Sequence, residues 1–435
     1  MNKQILRLAV PFVISNITVP LVGIIDLALL GHIKATNIED YIGAIALGGM
    51  IFNIIYWGFG FLRMGTSGFT AQAFGKADEK ESILILGRAM TVALAGSILV
   101  LALQHPIVWL SFIIIDGSPA VEKFAREYFL IRVYAAPATI TLYAFFGWFL
   151  GMQNALYPMI ITVLINLLNT GFNYIFIYEL GMRHDGVALG TVLAQYSGLI
   201  LAVILFAKKY TSLIKKWEYK AMMQLAALKE FFMVNRDIVI RTLLLVFAFS
   251  FFTNQSASIS DEVLAVNTIL LQYLFIFSYF IDGFANAAEA LVGKYVGARD
   301  KKLLKKSIGM LFLWGFFISM AFTLIYFISG ENLLTILTSD VGVIGKATPY
   351  LFWVGLVPFI TFAAFIWDGI FIGATSTAPM RNTLIIATLF IFLPAYYLLI
   401  GPMGNHGLWL AMMLFMFTRG FMLSLFAPKY VINKI

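Results

Sequence analysis

Apolar stretches long enough to cross a bilayer recur twelve times along this chain, at residues 5–31, 43–70, 85–115, 126–151, 156–180, 186–207, 238–259, 263–293, 307–329, 347–373, 380–400 and 406–427. A helix needs about 20 such residues to span the hydrocarbon layer, and a helix satisfies its own backbone hydrogen bonds where no water can. The pattern predicts an all-α integral membrane protein with twelve transmembrane helices. Composition agrees: 61% of residues are hydrophobic and 12% charged, with a mean hydropathy of +0.90, far from the soluble range. No polar stretch is long enough for a soluble domain, which argues against catalysis outside the membrane. The first stretch contains Asp26 and lacks an A-x-A cleavage site, so it reads as a spanning helix rather than a signal peptide.

The twelve stretches fall into two matching halves. Pro137/Pro358, Pro158/Pro379, Met159/Met380 and Gly186/Gly407 share an offset of 221 residues, and FGKADEK at Phe74–Lys80 matches VGARDKK at Val296–Lys302 at an offset of 222. Six helices per repeat bring both halves in from the same side, predicting two parallel-related six-helix bundles about an axis along the membrane normal. The expected division is an N-terminal lobe at 1–207, a linker at 208–236 and a C-terminal lobe at 237–435. Duplication of this kind in a membrane protein points to a transporter built around a shared central site.

Basic residues set the orientation. With the N-terminus inside, Lys3, Arg7, Lys76, Lys80, Arg88, Lys208–Arg236, Lys294–Lys306, Arg381, Lys429 and Lys434 gather on one side, against Lys34, Lys123, Arg126, Arg183 and Lys346 on the other. That bias places both termini in the cytoplasm, for a multi-pass protein of the plasma membrane. It also accounts for the net charge of +8 without nucleic acid. The linker mixes basic and apolar residues at helical spacing, which predicts an amphipathic helix on anionic lipid.

Cysteine is absent, excluding thiolate chemistry and Cys-ligated metals. His32, His105, His184 and His406 show no HxxxH or HExxH spacing and read as interfacial caps, so no metal site is expected. Ionisable residues within the bilayer are costly and mark function or interhelical ion pairs. Asp26, Asp282, Glu289 and Asp368 are the acidic ones, with Arg63, Arg132 and Arg419 as basic counterparts. Asp26 lies nineteen residues beyond Arg7, about 28 Å along a helix and in the outer half. Asn169 and Asn173 share a face of an outward-running helix, and Thr191 begins an inward-running one at similar depth. These four form a candidate site for a proton or small cation. The second half offers Asp282, Glu289 and Asp368 for substrate or cation, and the repeat offset pairs Asp368 with Gly147, so the halves differ in chemistry. Pro11 and Pro20 lie in the first helix, where Asp26 could bias a bend.

Several segments carry a resemblance. LAVPFVISNITVPLVGIIDLALLG with Asp26, GFLRMGTSGFTAQAFG around Arg63, DGFANAAEALVG with Asp282 and Glu289, WDGIFIGAT with Asp368, MRN at Met380–Asn382 and NHGLWLA at Asn405–Ala411 occur in order. Over essentially its full length the chain resembles the multidrug and toxic compound extrusion (MATE) family, in its DinF-like branch. The resemblance implies a V-shaped pair of lobes that export amphiphilic, often cationic, organic compounds in exchange for protons or sodium ions. It assigns Asp26 the role of the first-helix carboxylate that binds the coupling ion, with Asn169 and Thr191 as polar companions. Asn173 departs from the pattern, since several relatives carry Asp there. Desolvation disfavours the charged form of a lone buried carboxylate, which suits protons better than sodium, while Asp368 and Glu289 leave a cation route open.

The reading is a monomeric antiporter with small amphiphilic substrates, membrane lipid as its only other partner, and no cofactor beyond H+ or Na+. A lipid-linked saccharide flippase is the alternative, but it calls for several basic residues around a pyrophosphate, where Arg63 and Arg132 alone stand. A primary pump would need GxxxxGK[ST], which the sequence lacks. For an intramembrane enzyme, Asp282 and Glu289 are the one faint dyad. The 18 Met and 41 Phe suit adaptable binding walls.

Overall fold

The computed structural model describes residues 1–31, 38–115 and 117–435, and the side chains there except those of Val19 and Leu27. His32 and Lys34 of the sequence analysis lie outside these residues. The described chain is helical throughout its regular structure. We label its long helices α1 (Asn2–Gly31), α2 (Ile38–Gly75), α3 (Glu79–Ala102), α4 (Pro119–Gly151), α5 (Leu156–Glu179), α6 (His184–Ile214), α7 (Leu225–Ile259), α8 (Asp261–Gly297), α9 (Lys301–Ser329), α10 (Val341–Gly373), α11 (Thr377–Met403) and α12 (Asn405–Lys434). Apart from α7, each is long and apolar enough to cross a membrane, and α7 carries the remaining stretch read from the sequence.

Contacts divide the chain into two compact units, one of Met1–Val13, Gly75–Ala77 and Phe232–Ile435, the other of Ile14–Phe74 and Asp78–Phe231. The sequence division gave all of α1 to the first lobe. In the structure its opening half, Met1–Val13, groups with the later helices.

The internal repeat is visible atom by atom. In the turn after α2, Ala77 takes φ +56°, and after α8 Arg299 takes φ +54°. Each is followed by an aspartate that caps the next helix: Asp78 accepts from Glu81 N at 2.9 Å and Asp300 from Leu303 N at 2.8 Å. These turns explain the FGKADEK and VGARDKK match. The turns after α4 and α10 agree too, with Gln153 at φ +60° and Thr375 at φ +50°. Helix seating follows the same rule, because small residues let membrane helices approach backbone to backbone. A Cβ on Gly147 would fall 2.2 Å from Arg63 O, and one on Gly369 would fall 2.0 Å from Ala285 O. Likewise Gly151 abuts Ser67 O and Gly373 abuts Glu289 O. These contacts correct the pairing read from the sequence. Gly147 corresponds to Gly369 at an offset of 222, so Asp368 corresponds to Phe146. The register thus shifts by one residue between Pro137/Pro358, at an offset of 221, and Gly147/Gly369, at 222.

The linker also differs from the expected single helix on lipid. Lys208–Ile214 continues α6, Tyr219–Met222 is one helical turn, and α7 begins at Leu225. That turn docks on α3. Arg88, buried, donates Nε to Met222 O at 3.0 Å and NH1 to Glu81 Oε1 at 2.6 Å. Gly87 leaves the gap that Trp217 and Met222 fill, and Lys80 pairs with Glu218 as Lys216 does with Glu79. Met222 is thus buried against α3, while Tyr219, Met223 and Leu225 stay exposed.

Candidate functional site

Within the unit of Ile14–Phe74 and Asp78–Phe231, three helices bring the predicted N-terminal residues together. Asn173 on α5, fully buried, donates Nδ2 to Asp26 Oδ1 on α1 at 2.7 Å. The same Nδ2 donates to Asn169 Oδ1 at 3.3 Å, one turn earlier on α5. Asn169 Nδ2 donates to Thr191 Oγ1 on α6 at 3.1 Å, and Thr191 Oγ1 donates to its own helix at Val187 O, 2.9 Å away. The two N–H bonds of Asn173 therefore serve Asp26 and Asn169, and the carboxylate stands as the acceptor at the end of this row. A hydrogen bond to a carboxylate in a low-dielectric interior is among the stronger kinds.

Two residues that sequence reasoning passed over build this site. Gly190 on α6 leaves room for the Asn173 carboxamide, since a Cβ there would lie 2.0 Å from Asn173 Oδ1. Asn166 donates Nδ2 to Thr18 Oγ1 on α1 at 3.0 Å. Asn166, Asn169 and Asn173 follow i, i+3, i+7 spacing on one helical face, a signal open to a sequence reader. With Tyr178 donating its hydroxyl to Leu29 O at 2.8 Å, α5 fastens α1 below Pro20, at Asp26 and at the helix end.

Arg132 lies 4.8 Å from the centroid of the Phe52 ring and donates NH1 to Tyr128 Oη at 2.6 Å. Its charge attracts Asp26. Arg63 is half-buried on α2, with its carbonyl against Gly147. His184 Nε2 lies 3.0 Å from Glu127 Oε2, and His406 Nδ1 accepts from Trp353 Nε1 at 3.0 Å.

The other unit arranges its acidic residues differently. Asp368 on α10 is gripped by two arginines, with Arg419 NH2 donating to Asp368 Oδ2 at 2.8 Å and Arg241 NH2 donating to the same oxygen. Asp282 is partly buried on α8 and attracts Arg419. Glu289 is buried two turns further along α8, its carbonyl against Gly373. Arg241 was not among the sequence candidates.

Comparison with known proteins decides what this scaffold is. The MatE family profile matches residues 11–175 and 238–398, one segment in each repeat. The chain belongs to the MATE family. This MATE protein is 34% identical to the DNA damage-inducible protein F of Escherichia coli K12 across 97% of its own length and 91% of that protein. It is 25% identical to the probable multidrug resistance protein NorM of Photorhabdus laumondii, across 97% and 94% of the two chains. Its fold matches a MATE structure in the bent conformation with a TM-score of 0.90 at 19% identity, covering 100% of this chain and 96% of that one. An outward-facing multidrug resistance MATE transporter matches with a TM-score of 0.85 at 19% identity, covering 100% and 97%. As a MATE protein the chain is a multi-pass membrane protein and a secondary transporter, and it is not an enzyme.

Proposed function

We propose that this MATE transporter exports amphiphilic organic compounds, cations among them, in exchange for protons, and that Asp26 carries the coupling proton. The observation behind this reading is the bond from Asn173 Nδ2 to Asp26 Oδ1. Asn173 turns hydrogens, not oxygen, toward the carboxylate, so a sodium ion beside Asp26 would meet N–H groups where it needs oxygen ligands. Residue 173 is an amide rather than a second acid, which leaves Asp26 as the only carboxylate of its row. An ionised Asp26 is matched by that donor. A proton arriving from outside neutralises it, weakens its hold on Asn173 and on a bound cation, and releases both. Return of the proton to the cytoplasm restores the acceptor.

The breadth of substrates follows the names borne by relatives such as the probable multidrug resistance protein of Photorhabdus. The basic residues support cytoplasmic termini, and the likeness to an Escherichia coli protein supports a bacterial inner membrane location. The test is efflux from proteoliposomes under separately imposed gradients. A proton gradient without sodium should drive export of a lipophilic dye cation. Export that follows only the sodium gradient would reject the assignment.

A further inference from the structure

The coupling scheme leaves the charged cluster of α7, α10 and α12 unused. Asp368, Arg241 and Arg419 expose only 5%, 7% and 1% of their surface. Two guanidiniums meet one carboxylate oxygen there, so one positive charge is in excess. Asp282 attracts Arg419 as well, through a field that its partly exposed position weakens. The donors are also in excess. Arg419 NH1 faces Met416 Sδ at 2.9 Å, a weak acceptor. Among the described residues Nε of Arg241, Nε of Arg419 and Oδ1 of Asp368 are all buried without a hydrogen-bond partner. Buried charge and buried donors of this kind are strongly destabilising unless something accepts them.

We propose that Arg241 and Arg419 bind a monovalent anion in the interior of this unit, either a free halide-sized ion or the anionic head of an amphiphile. Such an anion gives the two Nε–H groups an acceptor beyond the Asp368 carboxylate and offsets the second guanidinium more closely than the partly exposed Asp282 does. Asp368 acts as the anchor that holds the guanidiniums side by side. Its own charge limits the guest to one negative charge, because a dianion would face the carboxylate at close range. The same two guanidiniums repel a cation approaching Asp368. The halves of the repeat therefore differ in sign, with a carboxylate row in one and an arginine pair in the other.

The purified transporter in neutral detergent provides the test, read as melting temperature at fixed ionic strength. Chloride replacing gluconate should raise it in a saturable manner. Arg241→Gln and Arg419→Gln should each weaken that apparent affinity by about tenfold, as expected on losing one of two charge-assisted partners. Laurate and dodecyltrimethylammonium distinguish the sources. Competition between laurate and chloride, with none from the cation, assigns the site to amphiphile heads, whereas chloride binding without competition assigns it to the free ion. Identical melting in chloride and gluconate with no laurate binding in the wild-type protein overturns the proposal, as does unaltered binding in Arg241→Gln. Should Arg419→Gln fail to fold, the wild-type titration and Arg241→Gln decide. Asp26→Asn should bind anions like the wild type, so a failure of the proton scheme is told apart from a failure of this site.

Discussion

Gly190 and Asn173 share one space: the Asn173 carboxamide oxygen lies where a side chain on residue 190 would begin, 2.0 Å from its Cβ position. Gly190→Ala should therefore push Asn173 off Asp26 without touching the carboxylate. We expect proton-driven efflux to fall about tenfold or more, as when a charge-assisted hydrogen bond is lost. Efflux assays on protein whose melting temperature and gel-filtration profile are preserved check this, and unimpaired efflux would contradict it.

Asp26→Asn removes the proton acceptor and keeps the volume. Gradient-driven export should cease, while equilibrium binding of a dye cation weakens and loses its pH dependence. Turnover at the wild-type rate in this variant would sink the coupling assignment.

Asn173→Asp tests the ion directly. It replaces an N–H donor by a second carboxylate beside Asp26, giving oxygen ligands suited to a hard cation. Sodium should then stimulate export and protect the protein from thermal unfolding, whereas the wild type should respond to neither. Paired efflux and melting curves in sodium and in choline report the difference.

Gly147→Ala and Gly369→Ala should behave alike. Each puts a methyl against a backbone carbonyl, at Arg63 and Ala285 respectively, and overpacking of this sort costs about 1–3 kcal/mol. Both variants should melt earlier, by similar amounts. A harmless Gly147→Ala beside a severe Gly369→Ala would break the structural equivalence of the repeats.

The fastening of α1 predicts where it moves. Thr18–Asn166 lies below Pro20, while Asp26–Asn173 and Leu29–Tyr178 lie above it. Pro20 donates no hydrogen bond to the preceding turn, so bending there is cheap. Protonation weakens only the Asp26 bond, so spin-label distances from α5 to the outer part of α1 should change between low and high pH, and those to the Thr18 level should not. Fixed distances alongside pH-driven transport would leave a static kink.

The fold was legible because lipid imposes it: twelve apolar stretches and a repeat left few alternatives. The proximity of Asp26, Asn169, Asn173 and Thr191 was legible because helical rise converts sequence position into depth. Gly190 was missed because a glycine announces room without saying for whom. Arg241 was missed for a different reason. The linker was read to Arg236 with a span from 238, which put Arg241 at the membrane edge. In the structure α7 begins at Leu225, sixteen residues earlier, or about 24 Å of helix. Only a short connection, whose Trp217 and Met222 fill the gap at Gly87, separates α6 from α7.

The glycine–carbonyl contacts carry a consequence for ancestry. Two halves copied from one gene segment begin as equals, and whatever seats the helices must survive in both. Here the seating rests on Gly147, Gly369 and Gly373, whose nearest neighbours are backbone atoms, and on Gly151, which meets the Thr70 side chain as well as Ser67 O. The residues whose carbonyls receive those contacts were left at liberty to change their side chains: Arg63 stands opposite Ala285 in the alignment of halves, and Ser67 opposite Glu289. A frame joined largely through its main chain is indifferent to the chemistry hung on it, so one inheritance can carry a carboxylate row in one half and an arginine pair in the other.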